Sequence, residues 1–207
     1  MKTKSFHFTL LFAATAFAFL SNCSGNTKED ATEGHEGHAS HEHANETTPA
    51  EASKPTFEVD HKFQEQLSSL FAAYIDLKDA FVSSDAKNIQ LKASTTNDVL
   101  AGVDMNLLTG AAHNDWMNYV THIKKAIVEI QSGTDIEAQR ESFSTLSDNL
   151  YKSAKAFGLG GEEAFYTYCP MAFNNEGAYW LSDNKTIRNP YFGDKMLTCG
   201  QVKETLK

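Results

Sequence analysis

Apolar side chains recur at helical spacing through the middle of the chain, with polar residues on the intervening positions. Phe63, Leu67, Leu70, Phe71, Tyr74 and Phe81 make a first stripe, with Asp60 placed to cap its opening turn, and predict a helix over about residues 61–83. Ile89, Ala93, Thr96, Leu100, Val103 and Leu107 alternate by four and three, the seam of a second helix that Thr109-Gly110 closes. Trp116, Val120, Ile123, Ile127 and Ile130 mark a third helix, ending near Gln131. Thr134-Asp135-Ile136-Glu137 has the form of a capping box, in which a hydroxyl and a carboxylate satisfy the free N–H groups of a helix start. Ile136, Phe143, Leu146, Leu150, Ala154 and Phe157 then continue a fourth helix, which Gly158 and Gly160 can end.

Four helices with short connections predict an all-α fold, an up-and-down four-helix bundle over residues 57–158. Beyond it, residues 159–207 change character. Phe165-Tyr166-Thr167-Tyr168 and Ala178-Tyr179-Trp180-Leu181 are aromatic and strand-prone, and Asn174, Asn175, Gly177, Asp183, Asn184 and Asn189-Pro190 supply turns. The expected extension is a set of short extended pieces and turns packed on the bundle, closing with a brief helix from Gln201.

The N-terminal pattern is different again. Lys2 and Lys4 precede an apolar run over residues 8–20, too short for a comfortable membrane span and suited to a secretory signal. Leu20-Ser21-Asn22-Cys23-Ser24 resembles a bacterial lipobox, with Asn22 where a smaller residue is usual. The resemblance implies a lipoprotein signal over residues 1–22 and lipidation of Cys23, so that acyl chains hold the protein to a membrane. Lys28-Glu29-Asp30 resembles the signal that sends some lipoproteins to the cell surface. The expected location is the cell envelope, at the outer membrane or facing the periplasm, or on the cell surface.

Residues 23–56 are Glu, Ala, Thr, Gly, His and Ser with almost no large apolar side chain, and so predict a disordered acidic tether. Charge narrows the partners. The whole chain carries a formal net charge of −9, and loss of Lys2 and Lys4 with the leader takes it to −11. An acidic body with no basic stripe repels phosphate backbones, which argues against nucleic acid and for cations. No phosphate loop, His-Glu-x-x-His or Gly-x-Ser-x-Gly motif is present, so an enzyme is not expected.

Two groups of side chains could bind metal. Cys169, Met171, Met196 and Cys199 bring two thiols and two thioethers into the C-terminal extension. Thioether sulfur suits soft ions, so a site built from these four would take Cu(I) or silver rather than zinc or magnesium. If the chain is extended through residue 171, Cys169 and Met171 share one face, and a helical turn would align Met196 with Cys199. The competing fate in an oxidising compartment is a Cys169–Cys199 disulfide with the methionines as gap-filling hydrophobes. Spacing alone leaves both open.

The second group is His35, His38, His41 and His43 in the tether, flanked by Glu33, Glu36 and Glu42; neutral imidazoles there could wrap Cu(II) or another divalent ion. His113, Met117 and His122 on the third helix form a weaker set, and Arg140, which interrupts an apolar stripe, is expected to pair with an acid or with carbonyls of the extension. Without metal, the aromatic extension could instead present Tyr166, Tyr168, Tyr179, Trp180 and Tyr191 to a protein partner.

Tyr168-Cys169-Pro170-Met171-Ala172, Trp180-Leu181-Ser182 and the run from Ile187-Arg188-Asn189-Pro190-Tyr191-Phe192-Gly193 to Met196-Leu197-Thr198-Cys199-Gly200 resemble the C-terminal signature of a helical domain of unknown function. That domain occurs in exported Gram-negative lipoproteins and appended to the adaptor subunits of Cus-type copper and silver efflux pumps. The resemblance extends over about residues 60–206. It implies heavy-metal handling through Cys169, Met171, Met196 and Cys199, with efflux components as partners. This sequence departs from those adaptors in lacking a barrel, lipoyl or hairpin region, so it is not expected to be such an adaptor itself.

Overall fold

A computed structural model describes residues 54–207. Four long helices come first: α1 His61–Val82, α2 Ala86–Ala101, α3 Gly110–Ser132 and α4 Ile136–Phe157. Each packs on the next in sequence, and α1 also touches α4. Asp60 caps α1 as expected, accepting the Lys62 N–H at 2.8 Å. The α4 cap differs. Asp135 accepts the Ala138 N–H at 2.8 Å, while Glu137 turns to Arg140. Aspartate one residue nearer the helix reaches the free N–H, so Thr134 and Glu137 form no capping box.

The second helix is shorter than its apolar seam. It ends at Ala101 with Gly102 as its cap, and Met105–Leu107 follow as a separate 3₁₀ turn, capped by Asp104. The Asp104 N–H donates to the Gln66 side chain of α1 at 2.9 Å. Gly102 is a weak helix former and Asp104 competes for nearby backbone N–H groups, which breaks the helix although Val103 and Leu107 still pack against the core.

The all-α expectation needs correcting in the C-terminal part, where three strands form an antiparallel sheet of order β2-β1-β3. The strands are β1 Ala164–Cys169, β2 Ala178–Ser182 and β3 Gln201–Leu206. The brief closing helix expected from Gln201 is β3. Its lysine, glutamate and leucine favour a helix locally, but the open edge of β1 offers Ala164, Phe165 and Tyr166 as partners for Leu206, Thr205 and Glu204. Tertiary pairing overrides a weak local preference.

Two aromatic clusters organise the interior. Phe63 meets Trp116 and Phe157 edge-on, with ring centroids 5.3 Å apart in both pairs. At the other cluster Tyr74 and Phe81 pack on Phe143, and Phe143 reaches Tyr191 of the C-terminal part at 6.0 Å. Tyr191 also contacts Trp180 of β2 at 5.9 Å, so the sheet and its loops share one core with the helices and form a cap on them.

Candidate functional site

Cap and helices are joined by a few buried polar residues. Asn189, with no exposed surface, organises the Asn189-Pro190-Tyr191-Phe192-Gly193 loop. Its amide donates to the Cys199 carbonyl at 2.7 Å, its side-chain oxygen accepts the Tyr191 N–H at 2.8 Å, and its backbone N–H donates to the Leu197 carbonyl at 2.8 Å. Gly193 has φ +56°, and a Cβ there would lie 2.7 Å from Ser84 Oγ, so the loop closes tightly onto the end of α1. Arg140 meets both expected kinds of partner. Its Nε donates to the Pro190 carbonyl at 3.1 Å, one Nη donates to Glu137 at 2.6 Å, and the other to Ser84 Oγ at 3.0 Å.

Tyr74 and Tyr191 make the remaining ties. The Tyr74 hydroxyl lies 2.7 Å from Ser147 Oγ and accepts the Leu181 N–H at 3.1 Å. The Tyr191 hydroxyl donates to the Tyr179 carbonyl. Burial pushes both phenols above their ordinary value, because a phenolate there would lose its hydration.

The sulfur residues are brought together only in part. Cys169, at the end of β1, is fully buried and forms a disulfide with half-buried Cys199, with their Cα atoms 5.7 Å apart. Strand β1 ends at Cys169, and Met171 has turn geometry with φ −93° and ψ −9°. Met171 is 48% exposed beside a wholly buried Cys169, so the extended stretch that would put both on one face does not exist. Met196 is half-buried at the end of a 3₁₀ turn, and its carbonyl accepts the Cys199 N–H at 3.0 Å. Among the described residues no group of three or more His, Cys, Asp or Glu side chains is arranged to hold a metal ion. His35, His38, His41, His43 and Cys23 lie outside the described residues. On α3, His113 is half-buried, whereas Met117 and His122 are exposed.

Of the five aromatic residues that could face a partner, Tyr166, Trp180 and Tyr191 are buried, Tyr168 is half-buried and Tyr179 is 38% exposed. Tyr151 of α4, Tyr166 and Tyr179 stack in succession at 3.7 and 4.6 Å, and Tyr168 lies 4.5 Å from Tyr179. These rings mainly bind the sheet to α4.

A cleft that spacing did not disclose lies where the start of α4 meets the cap. Its volume is about 380 Å³, and it is lined by Glu137, Glu141, Met171, Phe173, Tyr191 and Phe192, among others. The wall after Met171 is built in an uncommon way: Phe173, Asn174 and Asn175 have φ values of +50°, +57° and +72° in succession. Asparagine tolerates this region, but a bulky phenylalanine does not, and such residues cost about 1–3 kcal/mol each unless their surroundings impose them. Here the Phe173 ring packs edge-on to Tyr191 at 5.3 Å, and the Gly177 N–H donates to the Ala172 carbonyl at 2.9 Å. Asn174-Asn175 is legible in the sequence as a turn. Its place opposite α4 depends on pairing between distant segments and has no local signal.

Together, this geometry describes a helical domain carrying a disulfide-closed cap, with a mixed acidic and aromatic cleft where the two meet. Residues 70–162, from within α1 to just past α4, match the model of a family described as a protein of unknown function (DUF3347). No curated protein and no solved structure matches the chain. The matched span holds most of the helical part and stops before β1, so the cysteines and the Asn189–Gly193 loop lie beyond it. Among the described residues no helix is long and apolar enough to cross a membrane.

Proposed function

We propose that this chain is an exported, lipid-anchored and non-catalytic binding module, in which a helical bundle carries a disulfide-stapled cap on a tether over residues 23–56. The observation that carries this reading is the Cys169–Cys199 bond: both thiols are consumed in it, and Cys169 is fully buried. A sulfur in that state holds the cap together and is not available as a thiolate ligand. The apolar run over residues 8–20 and the lipobox-like Leu20–Cys23 stretch support export and anchoring in the envelope.

A second reading, capture of copper or silver ions, is favoured by one specific observation. Met171 is half exposed next to Cys169, and Met196 stands one turn before Cys199, so opening the bond would free two thiols flanked by two thioethers. Opening takes two electrons and two protons from an external thiol reductant, and a soft ion would then displace the protons. The likeness of the cap to the signature found beside Cus-type efflux adaptors supports the same idea, with efflux components as partners and the tether histidines as a loose site for oxidised metal.

Anaerobic Cu(I) titration separates the two. It would compare the chain as isolated, the reduced chain and a Cys169→Ser/Cys199→Ser variant, all with the same tether. The staple reading expects no tight uptake by the chain as isolated, and tight uptake that the double variant loses overturns it. The metal reading expects tight uptake by the reduced chain alone, and equal weak uptake by all three overturns it.

A further inference from the structure

We propose that the cleft between the start of α4 and the cap is a binding site for a small organic cation, an ammonium group carried on an apolar or aromatic body. The proposal goes beyond the stapled-module reading, since neither cysteine lines the cleft. Its volume of about 380 Å³ falls within the range of small-molecule sites.

Its lining states the ligand's chemistry. Glu137 and Glu141 are one helical turn apart and present two carboxylates to the same space, and no lysine, arginine or histidine lines it. Arg140 engages Glu137 at 2.6 Å from outside the lining. Glu141 makes no ion pair among the described residues, so its charge is the one left for a ligand. The same lining includes Phe173, Tyr191 and Phe192 together with Met171, which is 48% exposed. Aromatic faces attract cations through their quadrupole, most strongly when a carboxylate shares the task and water is partly excluded. The same rings and thioether would cover an apolar body.

Three features therefore select together: charge rejects anions, the rings reward an organic body over a bare metal ion, and the limited volume rejects large ligands. The left-handed run Phe173–Asn175 holds the aromatic wall in place before any ligand arrives, because the Phe173 ring is already seated on Tyr191.

The test is calorimetric titration of the purified full chain at low ionic strength. The probes are benzyltrimethylammonium and benzylammonium, with benzyl alcohol and phenylacetate as neutral and anionic analogues and a Gly-Lys-Gly peptide for a protein-borne ammonium. Saturable binding of the aryl ammonium ions is expected. Glu141→Gln, a near-isosteric change at an exposed position, should weaken it about tenfold, the size of one charge–ligand contact. Phe192→Leu should also weaken it, while both variants keep the wild-type melting temperature within a few degrees. No saturable heat with either cation, unchanged affinity in Glu141→Gln, or equal binding of the neutral or anionic analogue would overturn the proposal. Tighter binding of the peptide than of the free aryl ammonium would overturn its assignment to a small molecule.

Discussion

Asn189 shows how much of the cap depends on single side chains. Both ends of its amide and its backbone N–H are bonded, to Cys199, Tyr191 and Leu197, at a site with no exposed surface. Asn189→Ala should therefore destabilise the protein by about 1–3 kcal/mol, measured by urea unfolding, because it leaves buried partners unpaired. Tyr74→Phe should cost a similar ~1–3 kcal/mol, since it orphans the Leu181 N–H and the Ser147 hydroxyl loses a partner. Asn174 makes a contrasting case. It is exposed at φ +57°, so Asn174→Ala should destabilise by about 1 kcal/mol while Asn174→Gly is neutral or better, a pairing that reports backbone conformation rather than lost contacts. At this scale Asp60 and Arg140 were legible from the sequence, because a cap needs only its neighbours and a buried guanidinium must find acceptors. The Phe173 conformation was not, since nothing local demands it.

Among the elements, the four helices were readable because their apolar stripes repeat over four or more turns and outweigh local exceptions. Where the reading overshot, at the end of α2 and at Gln201–Leu206, apolar spacing could not sense Gly102 and Asp104 acting against it, nor the vacant edge of β1. The same limit hid the geometry at the cysteines: spacing could say that Cys169 and Cys199 might meet, but the turn at Pro170-Met171 depends on how β1 pairs with β2 and ends. The disulfide spans 30 residues between β1 and β3, which contain nearly all of the cap's turns. By the chain-entropy relation such a closure is worth about 3–4 kcal/mol. Cys169→Ser/Cys199→Ser should lower stability by an amount of that order, and protection of β1–β3 amides from hydrogen exchange should fall more than that of α3, which contributes nothing to the cap's strands. Arg140→Lys should behave much like Arg140→Ala, since an ammonium cannot reach Pro190, Glu137 and Ser84 in the planar arrangement the guanidinium serves.

For the whole molecule, the phenols of Tyr74 and Tyr191 tie helices to cap and are both raised above their ordinary value near 10 by burial. A raised folded-state value means the unfolded chain releases these protons first. Stability is then fully present below about pH 10 and is lost as pH rises through and beyond it. Unfolding midpoints followed from pH 8 to pH 11.5 should fall steeply in the upper part of the range, and Tyr191→Phe should flatten that slope. The acidic charge adds to the fall, since the formal net charge of −9 becomes more negative as lysines deprotonate. On the proposed function, an acidic tether of about thirty residues links a lipid at Cys23 to the cap, in a compartment oxidising enough to keep the Cys169–Cys199 bond closed. The most direct test of that account is the intact mass of protein taken from the envelope, alkylated in denaturant without reductant. The account predicts that Cys169 and Cys199 both remain unalkylated until a reductant is added; full alkylation of both beforehand, with copper or silver bound in the native sample, would contradict it.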